Sequence, residues 1–149
     1  MKRVLVIILI LTAGSIELSA QTKGKKAPVA KPQPVTAAVM ANGKKIYNKY
    51  CLACHMADGG GVPNMNPPLS KTSHVLGDKT RLIKIILNGL ATGEEIEGET
   101  YTNVMPAHNF LKDQEIADVL SFVRNSFENK AGGISVTEVR AVRAKNTKK

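Results

Sequence analysis

Two cysteines and a histidine in the run Cys-Leu-Ala-Cys-His have the most distinctive chemical spacing in this chain. Cys51 and Cys54 are its only cysteines, and His55 follows directly. At this spacing, a helix end followed by a turn presents both thiols to one porphyrin edge, where each can form a thioether with a vinyl group. The adjacent imidazole then falls under the iron. The pattern therefore predicts one haem c, attached through Cys51 and Cys54 and ligated by His55.

Three other chemistries use a close cysteine pair, and the rest of the chain favours none of them. A thioredoxin-like redox pair needs a βαβ context, whereas this sequence predicts helices and loops. A zinc site needs two further Cys or His at ligand spacing, and neither His74 nor His108 is paired with a second such residue. A structural disulfide, common in exported proteins, leaves His55 without a role.

A second axial ligand must come from a distant part of the chain, and Met105 is the strongest candidate. Pro106 follows it, and the fixed φ of proline can hold the sulfur in place. Met56 is too close to His55 to reach the other face of the haem. His108 is an alternative ligand. The alternative role for Met105 itself is a methionine that only fills the core. Ligation by His55 and Met105 would favour ferrous iron and a relatively high potential.

The haem motif follows a predicted helix and precedes a predicted loop. The helix begins after Thr36, a possible N-cap, and its apolar residues recur every three to four positions. Gly43 on the apolar face lowers helix propensity, which makes sense where another helix crosses closely. Residues 56–77 are rich in Gly and Pro and predict a loop. A loop of this length needs something packed against it, and a haem would serve.

Three further helices are predicted after this loop. The first of them has Asp78 or Thr80 as its N-cap and stops at Asn88-Gly89. The next, about 113–127, has the clearest amphipathic pattern in the chain. The last opens with a capping box formed by Ser135 and Glu138 and runs to about Arg143. The acidic stretch 94–99 is predicted as a loop, and no pair of strands is predicted, so the fold class is all-α.

Both ends of the chain are set apart by composition. Residues 1–20 predict a signal peptide, with a basic start, an apolar run too short to span a bilayer and a cleavage-type Leu-Ser-Ala. Residues 21–35 predict a solvated linker with three Pro and four Lys. We therefore expect a periplasmic or otherwise exported protein with a haem domain over 36–130. A C-terminal extension, 131–149, carries the short helix and a basic tail.

The net charge of +9 lies in these ends. Residues 36–137 hold ten acidic and ten basic side chains. A basic stripe for nucleic acid should lie along a structured element, so nucleic acid is not a predicted partner. Weak attraction of the basic ends to acidic proteins or an anionic membrane surface is the expected consequence.

The chain resembles the class I, mono-haem cytochromes c. The resemblance rests on motifs in a fixed order, namely Gly43-x-x-x-Tyr47, Cys51-x-x-Cys54-His55, Pro67-Pro68-Leu69, Val104-Met105-Pro106-Ala107 and the helix from Glu115 to Phe127. It implies a small helical bundle around one haem, whose first and last helices cross near the haem edge. It also implies that a loop proline carbonyl, Pro67 first and Pro68 second, accepts a hydrogen bond from the His55 imidazole.

Two segments, 96–107 and 131–140, are similar to those of a narrower group. This group comprises the cytochrome domains of quinoprotein alcohol or sugar dehydrogenases and of haem-containing copper nitrite reductases, whose haem relays electrons to or from a second redox centre. One departure is Lys112, at a position where relatives offer a Ser or Thr N-cap, so that Asp113 is left to cap the helix.

The function predicted from these features is single-electron transfer, without catalysis, between unidentified donor and acceptor proteins. Two alternatives stay open. A haem enzyme or gas-binding sensor would need an open distal site, so that Met105 would not ligate or would leave easily. In the second alternative, the chain is the cytochrome subunit of a larger periplasmic oxidoreductase rather than a monomer.

Overall fold

A computed structural model describes residues 35–146, which form six helices and a two-strand hairpin. The predicted signal peptide, linker residues 21–34 and tail residues 147–149 lie outside this range. The elements are α1 (Ala37–Tyr50), α2 (Leu52–His55), α3 (Ser73–Leu76), α4 (Lys79–Asn88), β1 (Glu95–Ile96), β2 (Glu99–Thr100), α5 (Asp113–Val123) and α6 (Val136–Lys145). The predicted fold, a helical cytochrome c-type bundle, is confirmed. In the described range, no helix is long and apolar enough to cross a membrane.

Helices α1 and α5 cross at Gly43, where their backbones approach each other closely. A Cβ atom at this position would lie 2.3 Å from the carbonyl oxygen of Asp118 and 2.5 Å from Cβ of Phe122. Tyr47, one turn later, is fully buried, and its ring centroid lies 5.5 Å from that of Phe122. The glycine is therefore required by the approach of the two backbones.

Helix α4 begins at a side-chain cap and ends at a glycine. The Asp78 carboxylate accepts the Arg81 backbone N–H at 2.6 Å, so the cap is Asp78 and not Thr80. Apolar side chains on one face of the helix are buried in the core, namely Leu82, Ile83, Ile86 and Leu87. The helix stops at Gly89, whose φ of +77° is the left-handed conformation that glycine adopts readily.

Helix α5 is shorter than the sequence predicts. It ends at Val123, and Phe127 and Glu128 have φ of 54° and 63°. The Asn129 amide donates to the Val123 carbonyl at 2.9 Å and to the Leu69 carbonyl at 2.9 Å. The Asn129 side chain thus binds a carbonyl at the helix end and ties the turn to the loop, a helix terminus that apolar spacing does not reveal.

The N-terminus of α5 also differs from the prediction that Asp113 caps it. Lys112 occupies the N-cap position but has no side-chain acceptor. The Glu115 carboxylate accepts the Lys112 N–H at 2.8 Å, which supplies one half of a capping box. Asp113 is the first helical residue, and its carboxylate instead pairs with Arg143 at 2.6 Å.

The acidic stretch 94–99 forms a hairpin, so the prediction of no strand pair is wrong. Ile96 pairs with Glu99 across β1 and β2, and the turn residues Glu97 and Gly98 have φ of 54° and 83°. Two residues with positive φ suit the twist of a tight hairpin. The strands are only two residues long, which gives too few positions for an alternating pattern. The Glu97 carboxylate accepts the Ser73 N–H at 2.6 Å, at the start of α3.

The C-terminal segment packs into the same core as the rest of the protein. Ser135 and Glu138 form the predicted capping box, with reciprocal hydrogen bonds of 3.2 and 2.7 Å. Ile134 and Val139 are fully buried, and α6 lies against α4 and α5. The segment is thus an integral part of the folded unit rather than an appended tail.

Candidate haem site

The His55 imidazole ends α2 and is oriented by a backbone carbonyl. Its Nδ1 lies 3.0 Å from the carbonyl oxygen of Pro67. A carbonyl can only accept, so Nδ1 carries the hydrogen and Nε2 presents a free lone pair. Burial lowers the pKa of His55, with the Pro67 hydrogen bond opposing the shift. The side chain is therefore a neutral imidazole with one nitrogen available to a metal, and its carbonyl partner is Pro67 rather than Pro68.

The two cysteines lie where α1 passes into α2. Cys51 is both the C-cap of α1 and the N-cap of α2, and its carbonyl accepts the His55 N–H at 2.9 Å. Both thiols are free, with Cys51 half-buried and Cys54 exposed. Burial raises the pKa of the Cys51 thiol to about 11, and the neighbouring Cys54 adds to the shift. Before haem is attached, Cys51 is therefore a protonated thiol at neutral pH.

The Tyr47 hydroxyl fixes the turn that follows the motif. It donates to the carbonyl oxygen of Met56 at 2.6 Å. Met56 has φ of 63°, a strained conformation for this residue type, so the hydrogen bond holds a turn that the local sequence does not favour. Burial raises the pKa of Tyr47, with smaller contributions from Cys51 and Asp58. Tyr47 thus links the α1–α5 crossing to the backbone beside His55.

Met105 is held beside the end of α4 by two backbone hydrogen bonds. Its N–H donates to the Leu90 carbonyl at 3.0 Å, and its carbonyl accepts the Leu90 N–H at 2.9 Å. This pairing passes close to Gly89, where a Cβ atom would lie 2.3 Å from the Met105 carbonyl oxygen. The tight approach requires glycine at 89, and it places a half-buried thioether in the wall of the central cleft.

The central cleft consists of two adjoining cavities, and both His55 and Met105 line each of them. The six residues common to the two cavities are Cys51, His55, Pro67, Leu90, Ile96 and Met105. One of the two, which we call the aliphatic cavity, is otherwise walled mainly by aliphatic side chains, among them Leu69, Val75, Leu82, Ile85, Ile86, Val119, Leu120 and Val123. Such a lining suits a large apolar ring rather than a polar substrate.

Two histidines that line this cleft each have a buried ring nitrogen without a hydrogen-bond partner among the described residues. They are Nδ1 of His74, a residue of the aliphatic cavity, and Nδ1 of His108, a residue of the other cavity. The Arg81 guanidinium contacts Nε2 of His74, and because arginine only donates, Nδ1 must carry the His74 hydrogen. A buried unpaired N–H is unfavourable, and a ligand acceptor would satisfy it.

A haem therefore fits the residues present. Its apolar macrocycle would pack against the aliphatic walls, and its iron would bind the free Nε2 of His55. One of its carboxylates would accept a hydrogen bond from the unpaired N–H of His74. The sequence assigned no role to His74 beyond the zinc alternative. The feature that points to a role for His74 is its contact with Arg81, seven residues later, and no sequence motif predicts this contact.

The alternative ligand His108 also lies at the cleft. Its backbone N–H donates to the Ile86 carbonyl at 2.7 Å, which fixes its segment against α4. Its ring lies edge-on to Tyr50 at 6.4 Å and beside Phe110 at 5.7 Å between centroids. The structure thus brings both candidate distal ligands to the same cavity, with His108 held among aromatic rings.

A comparison with protein families matches residues 40–127 to the cytochrome c model. This chain belongs to the cytochrome c family. Proteins of this family carry covalently attached haem c and transfer electrons, so the predicted cofactor and the predicted class of function are confirmed. The matched range runs from α1 to just beyond α5 and includes the Cys-x-x-Cys-His motif, and it ends before α6.

Relatives of this cytochrome c include a cytochrome c-552 and the cytochrome c subunits of dehydrogenases. Cytochrome c-552 of Thermus thermophilus is 36% identical over 118 residues, 73% of this chain and 79% of that protein. The cytochrome c subunit of the quinone alcohol dehydrogenase of Gluconobacter oxydans is 33% identical over 103 residues, but this chain covers only 22% of it. For the gluconate 2-dehydrogenase cytochrome c subunit of Pantoea cypripedii, identity is 33% and coverage of that subunit 24%.

Proposed function

We propose that this protein carries single electrons on one haem c, attached through Cys51 and Cys54 and ligated by His55 and Met105. The observation that carries the proposal is the geometry of His55. Its Nδ1 donates to the Pro67 carbonyl at 3.0 Å, which leaves Nε2 free in a cleft that Met105 also lines. Second partners of this kind orient metal-bound histidines and raise their basicity.

Haem c, when bound, supplies the ferric–ferrous couple, and the protein residues set the conditions for it. The neutral His55 imidazole and the Met105 thioether are ligands that favour a relatively high reduction potential. The aliphatic cavity offers the haem few polar side chains, which limits the reorganisation of protein dipoles when the iron charge changes. The N–H of His74 would donate to a carboxylate of the haem.

Replacing Met105 with Ala tests the distal ligand. We expect the ferric wild-type protein to show a sulfur–iron charge-transfer absorption band and the Met105→Ala variant to lack it. The reduced wild type should bind carbon monoxide slowly or not at all, and the reduced variant rapidly. Met65→Ala is the control, because Met65 is 46% exposed and lines neither cavity. A band that persists in Met105→Ala, or rapid stoichiometric binding of carbon monoxide by the wild type, would contradict the proposal.

Service as the electron-transfer subunit of a dehydrogenase is a second candidate. It is favoured by the relatives, several of which are cytochrome c subunits of quinone alcohol dehydrogenases or of gluconate 2-dehydrogenase. The predicted signal peptide would send such a subunit to the periplasm. Purification from the native source under mild conditions tests this role. A dehydrogenase that co-purifies and reduces the haem supports it, and a haem protein that elutes alone at all salt concentrations argues against it.

A further inference from the structure

A side chain of α6 reaches the segment that carries Met105. Arg143 donates to the carbonyl oxygens of Asn109 at 2.9 Å and of Leu111 at 2.7 Å. Its Nε donates to the Asp113 carboxylate at 2.6 Å. The guanidinium thus binds two backbone acceptors and one charged acceptor at once, in the planar fork that arginine offers and lysine lacks. The Arg143 side chain is 32% exposed, and its bonds to Leu111 and Asp113 are partly buried, whereas its bond to Asn109 is exposed.

The Met105 segment, residues 105–112, has few other anchors. On the α4 side it is held by the Leu90 pairing at Met105 and by the His108 N–H to Ile86 at 2.7 Å. Further along, Leu111 is buried and its N–H bonds within the segment, to the His108 carbonyl at 3.1 Å. The Tyr50 ring packs against Phe110 at 5.3 Å between centroids, and among the described residues Arg143 is the side chain that hydrogen-bonds the backbone at Asn109 and Leu111.

We propose that Arg143 is a positioning residue that holds the Met105 sulfur at the iron by clamping this segment. The inference rests on the proposed ligation by Met105. It gives a function to a C-terminal helix that lies beyond residues 40–127, the range matched to the family. The bonds at Asn109 and Leu111 tie the segment to α6, which packs on α4 and α5, and so oppose displacement of the segment from the cleft wall.

Ferric-iron binding of free imidazole measures how often the sulfur is absent. The apparent affinity for such a competitor scales with the population of the state in which the ligand position is open. Losing a charged hydrogen-bonding fork shifts that population by about tenfold, the equivalent of roughly 1.4 kcal/mol. We therefore expect Arg143→Gln to bind imidazole about tenfold more tightly than the wild type, with a weakened sulfur–iron band.

Two control variants separate this effect from general loosening. Arg140 is 73% exposed and lies 3.8 Å from the same Asp113 carboxylate, but it contacts no carbonyl of the segment. Lys79 ties the start of the extension to α4 through the Gly133 carbonyl at 2.7 Å and Glu138 at 3.1 Å. We expect Arg140→Gln and Lys79→Gln to keep the wild-type imidazole affinity, even where the unfolding midpoint of Lys79→Gln falls as far as that of Arg143→Gln.

The conservative variant tests the role of the fork itself. Arg143→Lys keeps a positive charge near Asp113 but cannot reach both carbonyls, so it should recover only part of the wild-type affinity. Full recovery would assign the effect to charge and overturn the clamp. Equal imidazole affinity in Arg143→Gln and wild type, or an equal gain in Lys79→Gln, would also overturn it.

The same titrations distinguish failure of the clamp from failure of the proposed ligation. A wild-type protein without a sulfur–iron band overturns both. A wild-type band that is lost in Met105→Ala but unaltered in Arg143→Gln supports ligation and overturns the clamp alone.

Discussion

The hydrogen bond between His55 and Pro67 shows what the sequence can and cannot decide about a single residue. Cys-x-x-Cys-His is enough to predict haem attachment and the proximal ligand, because the chemistry depends on spacing along a few residues. The choice between Pro67 and Pro68 depends on the path of a loop, which the structure provides. The role of His74 follows from its contact with Arg81 and from its burial, neither of which the sequence shows.

Attachment through two thiols predicts a graded response to cysteine removal. Cys54→Ala retains one possible thioether through Cys51, whereas the double variant Cys51→Ala, Cys54→Ala retains none. We expect the mass of the denatured single variant to include haem and that of the double variant not to. Mass spectrometry after acid–organic extraction measures this directly. Haem that stays covalently bound to the double variant would show that another side chain forms the bond.

At the scale of elements, apolar spacing predicted the main helices, and the errors lie where side chains or turns end them. The α5 stop at Val123 depends on Asn129, which contacts both the helix end and the Leu69 carbonyl. The hairpin at 95–100 depends on a turn with two positive φ values. These features arise from tertiary contacts and backbone geometry, which a hydrophobic period does not encode.

The α1–α5 crossing predicts an unusually large effect of a small substitution. Gly43→Ala raises helix propensity, yet its Cβ would lie 2.3 Å from the Asp118 carbonyl oxygen, so the helices must separate. Overpacking of this kind destabilises by about 1–3 kcal/mol. Guanidinium unfolding of the haem-loaded protein should show this loss, while the exposed neighbour Asn42→Ala should show none. A Gly43→Ala protein as stable as the wild type would mean that the crossing is looser than in the structure.

The docking of α6 should weaken in acid. Burial raises the pKa of Glu138, but hydrogen bonds from Ser135 and the Lys79 ammonium outweigh it and bring the pKa below its ordinary value of 4.5. A carboxylate with a lowered folded pKa stabilises the protein above its unfolded pKa. That stabilisation is lost as the pH falls through the folded pKa.

Glu138→Gln measures this contribution, because glutamine keeps the shape but does not titrate. We expect the wild type to be more stable than the variant at about pH 7, and the difference to shrink progressively as the pH falls below 4.5, the ordinary pKa of glutamate. Glu95→Gln is the control, since Glu95 is exposed and forms no ion pair among the described residues. A difference between wild type and Glu138→Gln that does not change with pH would contradict this account.

At the scale of the whole molecule, the hydrophobic core includes residues beyond the range that matches the family. The cytochrome c match ends at residue 127, whereas the hydrophobic core continues into Ile134, Val139 and Val142. The capping box in the sequence predicted the short C-terminal helix. The packing of this helix against α4 and α5 was not predictable, because it depends on tertiary contacts that the sequence of ten residues does not show. The C-terminal segment therefore contributes to the fold around the haem cleft, and through Arg143 to the proposed distal ligand.

Proton NMR of the reduced, diamagnetic protein tests directly whether Met105 is a haem ligand. The ring current of the haem shifts the methyl group of an axial methionine strongly upfield, away from all other protein resonances. We expect such a resonance in the wild type and in Met65→Ala, and its absence in Met105→Ala. Its absence from the wild type, or its persistence in Met105→Ala, would contradict ligation by His55 and Met105.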